Sequence, residues 1–102
     1  MRVQKDLVAL DSTIELNPPS SINGGIAVQY GAGAGTIVLE GRVGDQQAWS
    51  VIQMTSYANG AAVASLAALG MAFANIIGLD AIRVRKSVGA ASLIVSVNYQ
   101  NG

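Results

Sequence analysis

The chain of 102 residues is long enough for one hydrophobic core and too short for two ordinary domains. Charged residues make up 12%, against about 25% in an average soluble domain, apolar residues reach 51%, and six basic residues balance six acidic ones at zero net charge. The absence of Cys and His excludes disulfides, thiolate metal sites, Ser-His-Asp triads and Cys nucleophiles, and the one cationic cluster, Arg83, Arg85 and Lys86, is too small to neutralise a nucleic-acid backbone.

The opening segment holds two short alternating stretches, Leu7-Val-Ala-Leu10 and Ser12-Thr-Ile-Glu-Leu16, on either side of Asp11-Ser12. Met1 to Asp6 moves into charged residues and lacks the apolar run of a secretory signal. Asn17 to Gly25 gathers both prolines with Asn, Ser and Gly and reads as a loop, stiff and extended at Pro18-Pro19. Residues 1–25 are therefore expected as an arm or a set of edge strands, and 26–102 as the main domain.

Ile26-Ala-Val-Gln-Tyr30 is the next strand, followed by the small-residue turn Gly31 to Gly35. That run lacks both GxGxxG spacing and a GK[ST] ending, so it is a close turn and no phosphate loop. In Thr36 to Val43, Ile37, Leu39 and Val43 share one face while Thr36, Glu40 and Arg42 share the other. Gly44-Asp45 tolerates a turn, and a strand from about Ala48 to Met54 then carries Trp49 and Val51 on one face. Trp49 is the expected core anchor of the sheet packing, with a sugar-stacking platform as its other role.

Residues 61–79 contain no charge, but only seven of them are Val, Leu, Ile or Phe, so a membrane span is not expected. Within them Leu66, Leu69, Phe73, Ile76 and Ile77 fall at helical spacing, whereas Met71, Phe73 and Ile77 share one face of a strand. Gly70 weakens the helix by about 1 kcal/mol relative to Ala, which favours a loop or short helical turn over 60–69 and a strand over 71–77. Ile82 and Val84 alternate with Arg83 and Arg85, and after a turn at Ser87 to Ala90, Leu93, Val95, Val97 and Tyr99 line one face of a last strand. The expected architecture is all-β: an antiparallel β-sandwich, jelly-roll or immunoglobulin-like, of seven to eight strands, with room for one short helical turn near 61–69.

The run Gly35-Thr-Ile-Val-Leu-Glu-Gly41, its Gly-Asp turn, the Trp49 strand, Gly70-Met-Ala-Phe73, Gly78 to Arg85 and Ser92 to Tyr99 together resemble small β-sandwich virion proteins of tailed bacteriophages, the decoration, cement or fibre-type domains. The resemblance covers roughly residues 26–99 and departs from the pattern in the Ala-rich stretch 60–69. It implies a structural virion protein that binds a major capsid protein or another virion protein.

The charge deficit agrees with a surface covered by partners, since a free monomer with so few charges has little to prevent self-association. The expected function is a non-enzymatic capsid decoration or cement protein of the virion, homo-oligomeric, without cofactor, metal, nucleic acid or membrane. Asp6, Asp11, Glu15, Glu40 and Asp45 lie at strand edges, turns or wet faces, unlike a catalytic carboxylate pair, and the acids lack calcium-loop spacing. Candidate partner-binding residues are Leu7, Ile14 and Leu16 on the arm and the outward Arg83 and Arg85; the two arginines are equally suited to pairing with Glu40 or another acid on a neighbouring strand. The alternative is a carbohydrate-recognising module of a tail or fibre, with Tyr30, Tyr57 or Tyr99 stacking on sugar.

Overall fold

The computed structural model describes residues 2–16, 25–44 and 46–99. The Pro18-Pro19 loop and Asp45 of the expected Gly44-Asp45 turn lie outside them. The strands are β1 (Arg2–Asp6), β2 (Thr13–Leu16), β3 (Gly25–Gly33), β4 (Thr36–Arg42), β5 (Ser50–Val51), β6 (Met54–Ser56), β7 (Ala62–Val63), β8 (Gly70–Asn75), β9 (Ala81–Val88) and β10 (Leu93–Tyr99). They form a six-stranded sheet ordered β1-β10-β3-β8-β6-β7 and a four-stranded sheet ordered β2-β9-β4-β5, with every pairing antiparallel.

Nested pairs explain this order: β1 lies against β10, β2 against β9, β3 against β8 and β4 against β5. Successive pairs go alternately to the large and the small sheet, as when one long antiparallel ribbon is rolled up. That is the jelly-roll arrangement of a β-sandwich. The β6–β7 hairpin extends the large sheet beyond β8.

The apolar alternation of the sequence supplies the core. Ile26, Val28 and Tyr30 of β3, Ile37 and Leu39 of β4, Ile82 and Val84 of β9, and Leu93, Val95, Val97 and Tyr99 of β10 are all buried in one cluster between the sheets. Burial at this scale contributes about 1.5–3 kcal/mol for each large side chain.

Several sequence expectations are corrected. Leu7, Ile14 and Leu16, expected to meet a partner, belong to this chain's own core, Leu7 with no exposed surface. The segment that carries them is an edge strand in each sheet, joined by a crossing at residues 7–12. The Trp49 strand is split: β5 ends at Val51 in the small sheet, and the chain then enters the large sheet at Met54. Trp49 precedes β5, is partly exposed and is absent from the core cluster. Val43, expected with Ile37 and Leu39, lies beyond the end of β4 and is exposed.

Residues 60–69 hold β7 and an isolated bridge from Leu66 to Ile37, with no helical turn. No helix of the described residues is long and apolar enough to cross a membrane. The Gly31–Gly35 run ends β3 and turns the chain into the other sheet, so it forms a corner between sheets. Gly33 sits there at φ 131°, where a Cβ would come within 2.6 Å of Leu93 Cα, so only glycine allows β3 and β10 to approach so closely.

Candidate functional site: the outer face of the six-stranded sheet

β8 decides the character of the large sheet's outer face. Ala72 and Ala74 point into the core, whereas Met71 and Phe73 point outward and are 47% and 41% exposed. The three large residues that alternate in the sequence, Met71, Phe73 and Ile77, are all exposed. Ala72 and Ala74 join Tyr30, Met54 and Tyr99 in the buried core cluster.

Register then assembles the face in rows. One row crosses the whole sheet as Arg2, Asn98, Ala27, Phe73, Thr55 and Ala62, and the next runs Gln4, Ser96, Gln29 and Met71. Small Ala27 between Asn98 and Phe73 creates a hollow. A depression of about 490 Å³ lies among Arg2, Ala27, Gln29, Met71, Ser96 and Asn98. A second, about 280 Å³, adjoins it at Ala27 and Asn98 and reaches Phe73 and Tyr57. The Tyr57 and Phe73 rings lie 4.8 Å apart at 52°, a tilted aromatic pair. Among the described residues of this lining only Arg2, at the rim, is charged. The face therefore offers apolar and aromatic area with amide and hydroxyl groups, which suits contact with another protein surface.

The outer face of the small sheet is different: it carries charges that satisfy one another. Arg83 Nε donates to Glu40 Oε1 at 2.8 Å, and Arg85 Nε donates to the same oxygen at 3.0 Å. Arg85 Nη1 also donates to Asp11 Oδ1 at 2.9 Å. Burial alone would raise the Glu40 pKa, but the hydrogen bonds from Arg85 and Arg83 and their charges outweigh it and hold the carboxyl below its ordinary value. The hydrogen bond to Glu40, then that to Asp11, raises Arg85. Arg83 and Arg85 are thus engaged with this chain's own acids. Their guanidiniums also bear on Trp49: the Arg83 and Arg42 carbon centres each lie 4.4 Å from its ring centroid. Arg42 Nε is buried with no hydrogen-bond partner among the described residues, so the ring is what holds this group.

Sequence reasoning missed Met71 and Phe73 as surface residues. The available signal was Ala72 and Ala74 between them, since either parity of β8 is apolar. Of the three tyrosines considered for sugar stacking, Tyr30 and Tyr99 are buried and only Tyr57 is exposed. Tyr30 instead donates its hydroxyl to the Gly35 carbonyl at 2.8 Å.

The fold is similar to that of the SPBc2 prophage-derived protein YomS, with a TM-score of 0.69 over 95% of this chain and 93% of that one, at 12% identity. The likeness is one of fold. No family model and no curated protein matches the sequence.

Proposed function

We propose that this chain is a non-enzymatic structural protein of a bacteriophage virion, attached to the particle through the outer face of its six-stranded sheet. The observation that carries the reading is that face: Met71, Phe73 and Tyr57 stand exposed around a shallow hollow whose described lining residues include no carboxylate and one peripheral cation. An exposed apolar and amide surface of this kind gains free energy when another protein covers it. The fold shared with a prophage-derived protein supports the phage setting, and the low charge of the whole chain supports an assembled state. In its finer form the reading is a capsid decoration or cement protein, which resists opening of the shell by burying surface across subunit boundaries without any reaction.

Mass spectrometry and cryo-electron microscopy of purified particles from the encoding phage test this. The expected result is a multi-copy component with the Met71 and Phe73 face against a neighbouring virion protein. A Phe73→Asp phage should lose the chain from particles by roughly tenfold or more, because a carboxylate is then forced into a desolvated contact. Absence of the wild-type chain from purified particles would overturn the reading, and retention on glycans instead of particles would replace it with sugar recognition at Tyr57.

A further inference from the structure

Among the described residues, four strand edges are open in the two sheets, and they are not equivalent. β5 and β7 are two residues long and offer little to pair with. On the other side of the sandwich, β1 and β2 are the edge strands. The direction of their backbone groups follows from the bonds at their ends. Lys86 N donates to Ser12 O at 3.0 Å, and since Thr13 pairs with Arg85, antiparallel alternation turns the Ser12 carbonyl and the peptide groups of Ile14 and Leu16 toward β9. Those of Thr13 and Glu15 face outward. One of these outward groups, the Thr13 carbonyl, is already occupied by Lys5 Nζ at 3.0 Å.

β1 has no such cap. Leu7 N donates to Leu93 O at 2.7 Å, and with Asp6 opposite Ile94 the same alternation turns Val3, Lys5 and Leu7 toward β10. The N–H and C=O groups of Arg2, Gln4 and Asp6 face the open edge. Lys5, exposed on the same side of β1 as Val3, reaches across to β2 and leaves this edge clear. The sequence along the edge is self-complementary: about Gln4, Arg2 and Asp6 are symmetrically placed and opposite in charge.

We propose that a second copy of this chain occupies the β1 edge, the two β1 strands pairing antiparallel about a two-fold axis at Gln4 so that one continuous sheet runs through both copies. Gln4 then faces Gln4 of the second copy and Arg2 faces its Asp6, each opposed pair exchanging both N–H···O bonds. The Arg2 and Asp6 side chains project on the same outer face and meet across the junction as an opposite-charge pair. Asp6 already accepts from Ser92 Oγ and from Leu93 N, and a carboxylate retains capacity for a further donor. Centring the pair on Lys5 sets Lys5 against its own copy, and centring it on Val3 leaves Asp6 unpaired. Only the Gln4 register uses every outward group of the strand. The consequence is that two apolar outer faces lie side by side in one surface, which doubles the attachment area. A ladder this short is smaller than a standard interface, so in free solution it associates with a dissociation constant of about 1 μM to 1 mM and is favoured when copies are held together on a common surface.

Analytical ultracentrifugation of the full chain, untagged at its amino terminus, over concentrations up to about 1 mM tests the pairing without any particle, so its outcome is separate from that of the attachment reading. The expected result is a concentration-dependent dimer in which the Gln4 amide gains hydrogen-exchange protection. Gln4→Pro removes an outward N–H that the monomer does not use, a change tolerated on edge strands, and should leave a folded monomer. Arg2→Asp faces the two copies with like charges and should raise the dissociation constant by about tenfold, and this variant carries the test if Gln4→Pro does not fold. A wild-type chain that stays at 10.4 kDa throughout, a dimer without protection at Gln4, or an Arg2→Asp chain that dimerises as well as wild type would overturn the proposal.

Discussion

The ammonium group of Lys86, on a side chain with no exposed surface, donates to the carbonyl oxygen of Leu7 at 3.0 Å. It also donates to the carbonyls of Val8 and Ala91. These acceptors lie where β1 crosses to β2 and β9 to β10, and a third corner closes the cluster: a Cβ on Gly35, between β3 and β4, would stand 2.7 Å from Lys86 Cε. One cation therefore ties together two connections between the sheets and packs against a third, with carbonyl dipoles in place of a carboxylate.

Lys86→Met keeps the aliphatic stem but strands these carbonyls. The cost should be about 2–4 kcal/mol, from the loss of charge-assisted hydrogen bonds and incomplete solvation of the acceptors. Urea unfolding measures it; a change below about 0.5 kcal/mol would show that the corners hold without the ammonium.

Acid should weaken the fold through Glu40. Its pKa in the folded chain is depressed below the ordinary 4.5 by Arg85 and Arg83 despite its burial. The stability this contributes is fully present above 4.5 and is lost as pH falls below that value through the lower folded one. Glu40→Gln should cost about 2 kcal/mol near neutrality and flatten the acid limb of the stability curve. Urea midpoints for both chains between about pH 2 and 7 check the sign, and parallel curves would contradict it.

Trp49→Ala should cost about 1–2 kcal/mol, the scale of partly exposed contacts with the Arg42 and Arg83 guanidiniums. Removal of a ring from between the sheets would cost about 3–5 kcal/mol. Thermal unfolding distinguishes these values, and the larger one would place the ring in the core.

Deleting residues 1–16 should prevent folding rather than release a detachable arm. The truncation strips the edge strand from each sheet and removes Leu7, Ile14 and Leu16 from the core. Circular dichroism and amide dispersion should show an unfolded chain; a cooperative thermal transition in the truncated protein would refute the expectation.

The all-β class and most of the core were legible in the residues. Period-two alternation in 82–85 and 93–99 marks both strands and their buried faces, because Arg and Ser cannot exchange places with Ile and Val without stranding polar groups. The pairing of Arg83 and Arg85 with Glu40 or another acid was one of two readings open to the sequence, and β4–β9 register brings it about by setting Arg83 opposite Glu40. Where both faces of a strand are apolar, alternation groups residues without saying which group is inside. In β8 the packing of the two sheets makes that choice: the alanines turn inward and Met71 and Phe73 become surface. Trp49 was misplaced for a related reason: its partners, Arg42 and Arg83, lie on two paired strands, and the ring packs on the charges of that outer face. The roles of Leu7 and Lys86 depend on corners brought together from opposite ends of the chain. Length, composition and alternation are local properties and determined the class; the assignment of faces and corners rests on competition for shared volume and on long-range pairing, which only the tertiary structure decides.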